Sequence, residues 1–349
     1  MSVRVRFAPS PTGSLHLGNA LTAVANRRFA DAHGGVGLLR IDDTDPTRNV
    51  EGGEEAIAAD LAWLGVSFDE GPVRQSERSG VYADAAERAL ADGAADRDDD
   101  GSVRLGRDGT TLLRPDGTAT YQLASVADDL DLGITHVIRG SDHRPNLSVQ
   151  QRIAHALGGE LPEVILHGLV LGSDGKKLSK RHGHSSIAEL RVEGFPAAAV
   201  RAYLAELDLP EHDVQLDLTR LRRLAVDSIA AMPVDELAAA AVAPGRVVPA
   251  LRGARSLVEA REYARLVVAP EPFTLDVEAR PTLARFAELR GAAPEQLSLD
   301  ESKAIVRELK AVGGDLRTLR LALTGAERGP ELGAVLVALS RDEALERTA

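Results

Sequence analysis

The first forty residues constrain the fold more than any other stretch. "VRVRF", residues 3–7, alternates polar and apolar side chains as a half-buried strand does. "APSPTGSLHLG" follows, with two prolines and two glycines that end the strand. Helical periodicity then begins near Asn19 and runs to about His33, where two glycines stop it, and "GLLRI" reads as a second buried strand. Strand, glycine-bearing turn, helix and strand form a βαβ unit, the opening of a doubly wound α/β nucleotide-binding domain.

Helical patterns recur at 53–64 and 79–92, followed by a turn-rich polar stretch, "DGAADRDDDGSVRLGRDG", and by alternation over 111–124. "THVIRGSDH" reads as a strand running into a loop, 146–157 as a helix, and "EVILHGLVLG" as another apolar strand. From about Ala188 the pattern is almost wholly helical, for example "AAAVRAYLAEL" and "ESKAIVRELKAV", with Ile305, Leu309 and Val312 at helical spacing. The chain therefore divides into an α/β half and an α half, and 349 residues suffice for two or three domains.

A 44% hydrophobic, 27% charged composition is that of a soluble globular chain, and no apolar run approaches the roughly 20 residues that span a bilayer. The start lacks the apolar segment and small-residue cleavage site of a secretory signal, so a cytoplasmic protein without membrane attachment is expected. The absence of cysteine excludes disulfides and thiolate zinc sites, and the nine histidines show no zinc-ligand spacing, so no zinc is expected. The net charge of −12 lies wholly in the first 244 residues; from Gly245 onward 16 basic residues balance 16 acidic ones. Against that acidity, "GSDGKKLSKRHG" stands out: it holds three of the chain's five lysines, Lys176, Lys177 and Lys180, within five positions.

Two motifs carry chemistry. In "PSPTGSLHLGN" a glycine-bearing turn enters a helix, so backbone amides and the helix N-terminus can face a phosphate, with His16 as an added donor. An ordinary loop or cap histidine has the same signature, and the spacing fits neither GxGxxG nor GxxxxGK[ST]. The basic loop could set the ammonium groups of Lys177 and Lys180 on a polyphosphate, or be a solvated turn. "DRDDDG", from Asp96, begins like a calcium loop, but Arg107 stands at position twelve, so a solvated turn is expected. Asp42, Asp43 and Asp45 suggest either a metal site or, for Asp45 before Pro46, a helix cap; no metal ligand set is assigned.

Together, "HLGN" after the first strand and "KLSKR" after a late strand resemble the paired signatures of class I aminoacyl-tRNA synthetases. "RFAPSPTGSLHLGNA", "LLRIDDTD", "WLGVSFDEGP", "QSERSGVY", "DGTATYQLASVADDLDLGITHVIRGSDH" and "GKKLSKRHG" occur in the order found in glutamyl-tRNA synthetases. "ALTGAERGPELGAVLVAL" resembles the end of that family's helical anticodon-binding region. The resemblance implies a Rossmann-like catalytic domain over 1–187, a helical connecting, stem-contacting region over 188–244 and a helical anticodon-binding-like domain over 245–349.

Three departures stand out. Only about 93–118 occupies the place of the family's long acceptor-stem-binding insertion; Asp42 replaces the glutamate of "RIEDTD" that contacts the substrate ammonium; and Ser125 stands where asparagine is usual. Carried over residue by residue, Arg6, Ser10, Asp42, Tyr121, Ser125 and Arg139 would line the amino-acid pocket. Two guanidiniums suit a substrate with two carboxylates, which favours glutamate. For Arg139 alone, an ion pair with Asp142 is the plainer alternative. His16, Gly18, Asp142, Lys177 and Lys180 would hold ATP, with His16 and Lys180 stabilising charge on the phosphates and magnesium on the pyrophosphate side. The implied partners are glutamate, ATP and tRNA, and the chain is expected to be a monomer. Two rivals remain at this point: a paralogue that passes an activated acidic amino acid to another acceptor, and a non-catalytic tRNA- or nucleotide-binding module.

Overall fold

A computed structural model of the chain describes residues 2–106, 109–176, 178, 186–271 and 280–349. The chain forms two compact units, Met1–Leu190 with Arg201–Asp217, and Arg191–Val200 with Leu218–Ala349. Residues 188–244, expected as one connecting region, are thus shared between both units.

In the first unit β1 (Arg4–Phe7), α1 (Leu17–Ala32) and β2 (Val36–Ile41) build the βαβ unit, followed by α2 (Gly53–Leu64), β3 (Glu70–Arg74) and α3 (Ser79–Ala91). β2 pairs in parallel with β1 and β3. Beyond a small antiparallel sheet, α4 (Tyr121–Asp131), β7 (His136–Gly140), α5 (Leu147–Ala156) and β8 (Glu163–His167) complete the main sheet, whose order is β3-β2-β1-β7-β8. β7 pairs in parallel with β1 and with β8. Val5, Phe7, Leu38, Ile41, Val137 and Ile138 are buried, as expected where helices cover both faces of a parallel sheet. Strand order reverses between β1 and β7, which opens a crevice at their carboxyl ends.

The segment expected to be polar and turn-rich holds the small sheet: β4 (Ala95–Arg97), β5 (Val103–Leu105) and β6 (Thr110–Leu113), antiparallel in that order. Its inward residues Val103, Leu105 and Leu112 join Tyr82 of α3 and Leu123 of α4 in one core cluster. The alternation expected over 111–124 ends at Leu113. Gly117, at φ +80°, turns the chain back, and Thr120 caps α4 by accepting the Leu123 N–H at 3.4 Å. "DRDDDG" forms the end of β4 and the turn into β5, where Asp98 N–H donates to Ser102 O at 2.9 Å. Asp45 accepts from Thr47 N–H and Oγ, which makes it a local turn former well short of α2 rather than a helix cap. The expected strand "EVILHGLVLG" is divided at Gly168, where a Cβ would lie 1.9 Å from His212 O; β9 (Val170–Leu171) pairs instead with β10 (Val214–Gln215). Helices α6 (Ile187–Val192) and α7 (Ala197–Leu207) precede β10.

The second unit is helical: α8 (Leu218–Ala231), α9 (Val234–Ala241), α10 (Val248–Leu251), α11 (Leu257–Val268), α12 (Arg280–Ala292), α13 (Leu299–Ala311), α14 (Leu316–Thr324), α15 (Leu332–Ala338) and α16 (Arg341–Glu346). Its core gathers Phe286, Leu309, Leu323 and Val335. Local chemistry sets the helix ends: Ser298 with Glu301 and Ser340 with Glu343 form capping boxes, and Asp315 accepts from Arg317 and Thr318 N–H. The fully buried Arg290 donates to the carbonyls of Pro294 and Glu295 at 2.7 and 2.8 Å, just beyond α12. Among the described residues no helix is long and apolar enough to cross a membrane.

Candidate active site

A cavity opens at the carboxyl ends of β1, β7 and β8, where the reversal of strand order puts it. β1 and the turn after it contribute Arg6 to Pro9, α1 contributes His16, Gly18, Asn19 and Thr22, and Asp42 enters just beyond β2. Tyr121 comes from the first turn of α4, and Arg139 and Asp142 from the end of β7 and the residues after it. Of the residues expected at the site, Arg6, His16, Gly18, Asp42, Tyr121, Arg139 and Asp142 therefore share one cavity.

Ser10 and Ser125 do not line it. Ser10 is half-buried in the turn, where its carbonyl accepts Thr12 N–H at 2.8 Å. Ser125 lies one turn beyond Tyr121 and is 1% exposed, because α4 presents only its first turn to the cavity and buries the following one. Lys177 and Lys180 lie outside the described residues.

The turn explains His16. Its Nδ1 accepts the Asn19 N–H at 3.2 Å as the N-cap of α1, so in the neutral ring the proton sits on Nε2, a donor beside the helix N-terminus. Gly18 packs against the same ring: a Cβ there would lie 3.2 Å from Nδ1 and 3.3 Å from Cε1, so the imidazole would have to shift by a few tenths of an ångström. Asp142 folds over Gly140, where a Cβ would meet its Oδ1 at 2.7 Å.

Electrostatically the floor of the cavity is a buried network that sequence reading missed. Arg40, fully buried, donates to Asp42 at 2.7 and 3.2 Å and to Asp129 at 2.8 Å, with Asp128 at 3.8 Å. Burial opposes its charge, yet the fields of Asp42, Asp129 and Asp128 outweigh it and raise its pKa well above the ordinary value. Arg6 shares Asp129 at 3.1 and 3.5 Å, and both arginines hold that carboxyl below its usual value against burial. Asp128 is in turn gripped by Gln75, Arg78 and Tyr82 at 2.7–3.0 Å. Asp42 is thus oriented by a bidentate arginine at the cavity wall.

Arg139 stands apart. It is 7% exposed, donates to the neutral Gln150 at 2.6 Å, and its Nε has no partner among the described residues. The alternative pairing with Asp142 does not form; among the described residues no carboxylate bridges Arg139. Burial and then the charge of Arg6 lower its pKa, partly offset by Tyr121 and Asp129. Burial and the Asp42 carboxylate push the Tyr121 phenol up, which keeps it neutral and able to donate.

His167, unforeseen, also lines the cavity. Its Nδ1 is 2.8 Å from Gly168 O and its Nε2 3.0 Å from Thr22 Oγ, and burial lowers its pKa. A carbonyl can only accept, so Nδ1 carries the proton and Nε2 is left as an acceptor, with the one Thr22 hydroxyl proton in reach of both Nε2 and the Gly18 carbonyl, 3.0 and 3.1 Å from Thr22 Oγ. The one available signal was a histidine inside an otherwise apolar strand.

The sequence model of the family described as "tRNA synthetases class I (E and Q), catalytic domain" matches residues 2–109 and 100–221. The chain belongs to this class I synthetase family. Across nearly its whole length the synthetase is 37% identical to "Glutamate--tRNA ligase 1" of Rubrobacter xylanophilus, with 99% of this chain and 97% of the relative covered. It is 34% identical to the protein of the same name from Acidiphilium cryptum, over 99% and 98%. Its fold is shared with a glutamate tRNA ligase from Elizabethkingia meningosepticum solved in complex with its amino acid: TM-score 0.78 at 22% identity, covering 100% and 98%. A glutamate-tRNA synthetase from Elizabethkingia anophelis gives 0.76 at 22%, over 100% and 99%. The alignment with the Rubrobacter protein runs over 422 positions against 349 residues here, so at least 73 positions of that relative have no counterpart in this synthetase. The two family matches meet at residues 100–109, within the small sheet β4–β6.

Proposed function

We propose that this synthetase activates glutamate with ATP and transfers the glutamyl group to tRNA. The observation that carries the reading is Arg139, a buried cation that no carboxylate among the described residues bridges, facing the same cavity as Arg6, at the switch point beside the His16 turn. A side-chain carboxylate of the substrate would complete Arg139, whereas a neutral amino acid would leave it unpaired. Asp42 would take the substrate ammonium on the face turned away from Arg40, and Tyr121 would donate to a carboxylate.

In the first step an α-carboxylate oxygen attacks the α-phosphorus of ATP, the bond to the bridging oxygen of the β-phosphate breaks, and pyrophosphate leaves; magnesium brought in by ATP would supply charge neutralisation on the pyrophosphate side. The Nε2–H of His16 and the N-terminus of α1 stabilise charge on the phosphates, joined by Lys177 and Lys180. Asp142 would support the ATP ribose. In the second step a terminal ribose hydroxyl of tRNA attacks the acyl carbon, AMP leaves, and the hydroxyl proton passes to the phosphate or solvent. The reading carries with it action in the cytoplasm and a monomeric chain.

Glutamate-dependent pyrophosphate exchange into ATP, run with and without tRNA, tests it. Exchange that requires glutamate supports the reading; absence of exchange while ATP still binds would overturn it in favour of a binding module. One observation favours a second reading. The compact sheet β4–β6 occupies the place of a long acceptor-stem-binding insertion, which fits a paralogue that charges a different acceptor. Robust exchange without tRNA, with no charging of tRNA, would select it.

A further inference from the structure

Asp60 lies on α2, outside the cavity, and is 1% exposed. Its Oδ2 accepts the Ser14 hydroxyl at 2.6 Å and the Leu15 N–H at 2.8 Å. Ser14 Oγ in turn accepts the Ala188 N–H at 3.1 Å, and Leu15 O accepts the Ile187 N–H at 2.8 Å. His16 and Ser186 form a β-bridge directly alongside. One buried carboxylate therefore ties together α2, the turn that carries His16, and the segment that follows the basic loop. The same turn is braced from the α2 side elsewhere: Val50 N–H donates to Pro11 O at 3.0 Å, and a Cβ on Gly53 would lie 2.3 Å from that oxygen.

From this arrangement we infer that Asp60 is a positioning residue for adenylate formation, fixing the His16 turn against the C-terminal anchor of the lysine-bearing loop. The inference rests on the proposed function for the identity of the reaction. Two halves of a phosphate clamp that come from opposite ends of a domain act together only if their separation is set, and an error of about 1 Å can cost on the order of 10²-fold in rate. Arg6 and Arg139 hang on β1 and β7, so the amino-acid end does not depend on this network.

The test compares Asp60→Asn, Ser14→Ala and Ser14→Thr in pyrophosphate exchange with tRNA present. Asp60→Asn and Ser14→Ala are expected to lower kcat by about 10- to 100-fold with glutamate KM within about twofold, and Ser14→Thr, which keeps the hydroxyl, to restore kcat to within about threefold. Ser14 is only half-buried, so its variants keep the test open if Asp60→Asn fails to fold. A kcat within threefold of the unaltered protein in Ser14→Ala, or a parallel rise in glutamate KM, would overturn the inference. If the unaltered protein shows no exchange, the proposed function falls and MgATP calorimetry decides on Asp60: weaker binding in Ser14→Ala is expected, and unchanged binding overturns the inference.

Discussion

Arg40 and Arg139 are both buried arginines on strands of the same sheet, separated by β1, and they have opposite surroundings. Arg40 is saturated by Asp42 and Asp129 with Asp128 close by, whereas Arg139 donates to the amide oxygen of Gln150, has Tyr121 beside it, and among the described residues forms no carboxylate bridge. Desolvating a guanidinium costs several kcal/mol unless carboxylates offset it, so the first arrangement is self-sufficient and the second is incomplete. The difference underlies the proposal that Arg40 holds the fold and Arg139 meets a ligand.

That contrast can be broken in both directions. Arg40→Met would leave the buried Asp42 without its arginine and take one cation away from Asp129 and Asp128, which keep Arg6 and Arg78, and should cost about 3–5 kcal/mol of stability, read by denaturant unfolding. Arg139→Met should leave stability undiminished while kcat/KM for glutamate falls by about 10²-fold or more, measured in pyrophosphate exchange. Arg290 supplies an intermediate case in the helical unit, buried with its two terminal nitrogens on backbone carbonyls and, among the described residues, no partner for its Nε. Arg290→Met should lose about 1.5–3 kcal/mol with exchange kinetics unchanged.

The smallest effect belongs to His167, which burial holds below its ordinary value of 6.5 in spite of the Gly168 carbonyl and the field of Asp142. An unfolded chain takes up that proton first. The neutral ring's contribution to stability is therefore complete above about pH 6.5 and is lost as pH falls below it toward the depressed native value. Unfolding free energy followed from about pH 8 to 5 should show this slope, and His167→Gln should flatten it.

Much of the frame was legible because it rests on local patterns. Residues 53–64 read as a helix and form one, since Gly52 and Gly65, both with positive φ, bound an apolar stripe of Ile57, Leu61 and Leu64. The strands β4 and β5 were not legible, because three residues are too few to display alternation among aspartates and glycines. For the same reason of range, the network under the cavity escaped: Arg40 meets Asp129 across 89 positions and Arg6 meets it across 123, and nothing local marks such pairs. Arg6, Asp42, Tyr121 and Arg139 were picked out by resemblance to a family, not by spacing. The same resemblance placed Ser10 and Ser125 at the pocket, but neither lines the cavity, and Ser125 is buried in the turn of α4 behind it. Asp60 went unremarked for reasons of range as well, since Ser14 and Leu15 meet it from 46 and 45 positions away.

The most direct measurement follows one variant in two assays. Arg139→Met, taken through denaturant unfolding and glutamate-dependent exchange on the same preparation, should unfold at a denaturant concentration no lower than the unaltered protein while losing about 10²-fold in kcat/KM for glutamate. A variant that instead unfolds several kcal/mol more easily, and exchanges pyrophosphate with an unchanged glutamate KM, would show Arg139 to be a second Arg40 and contradict the account.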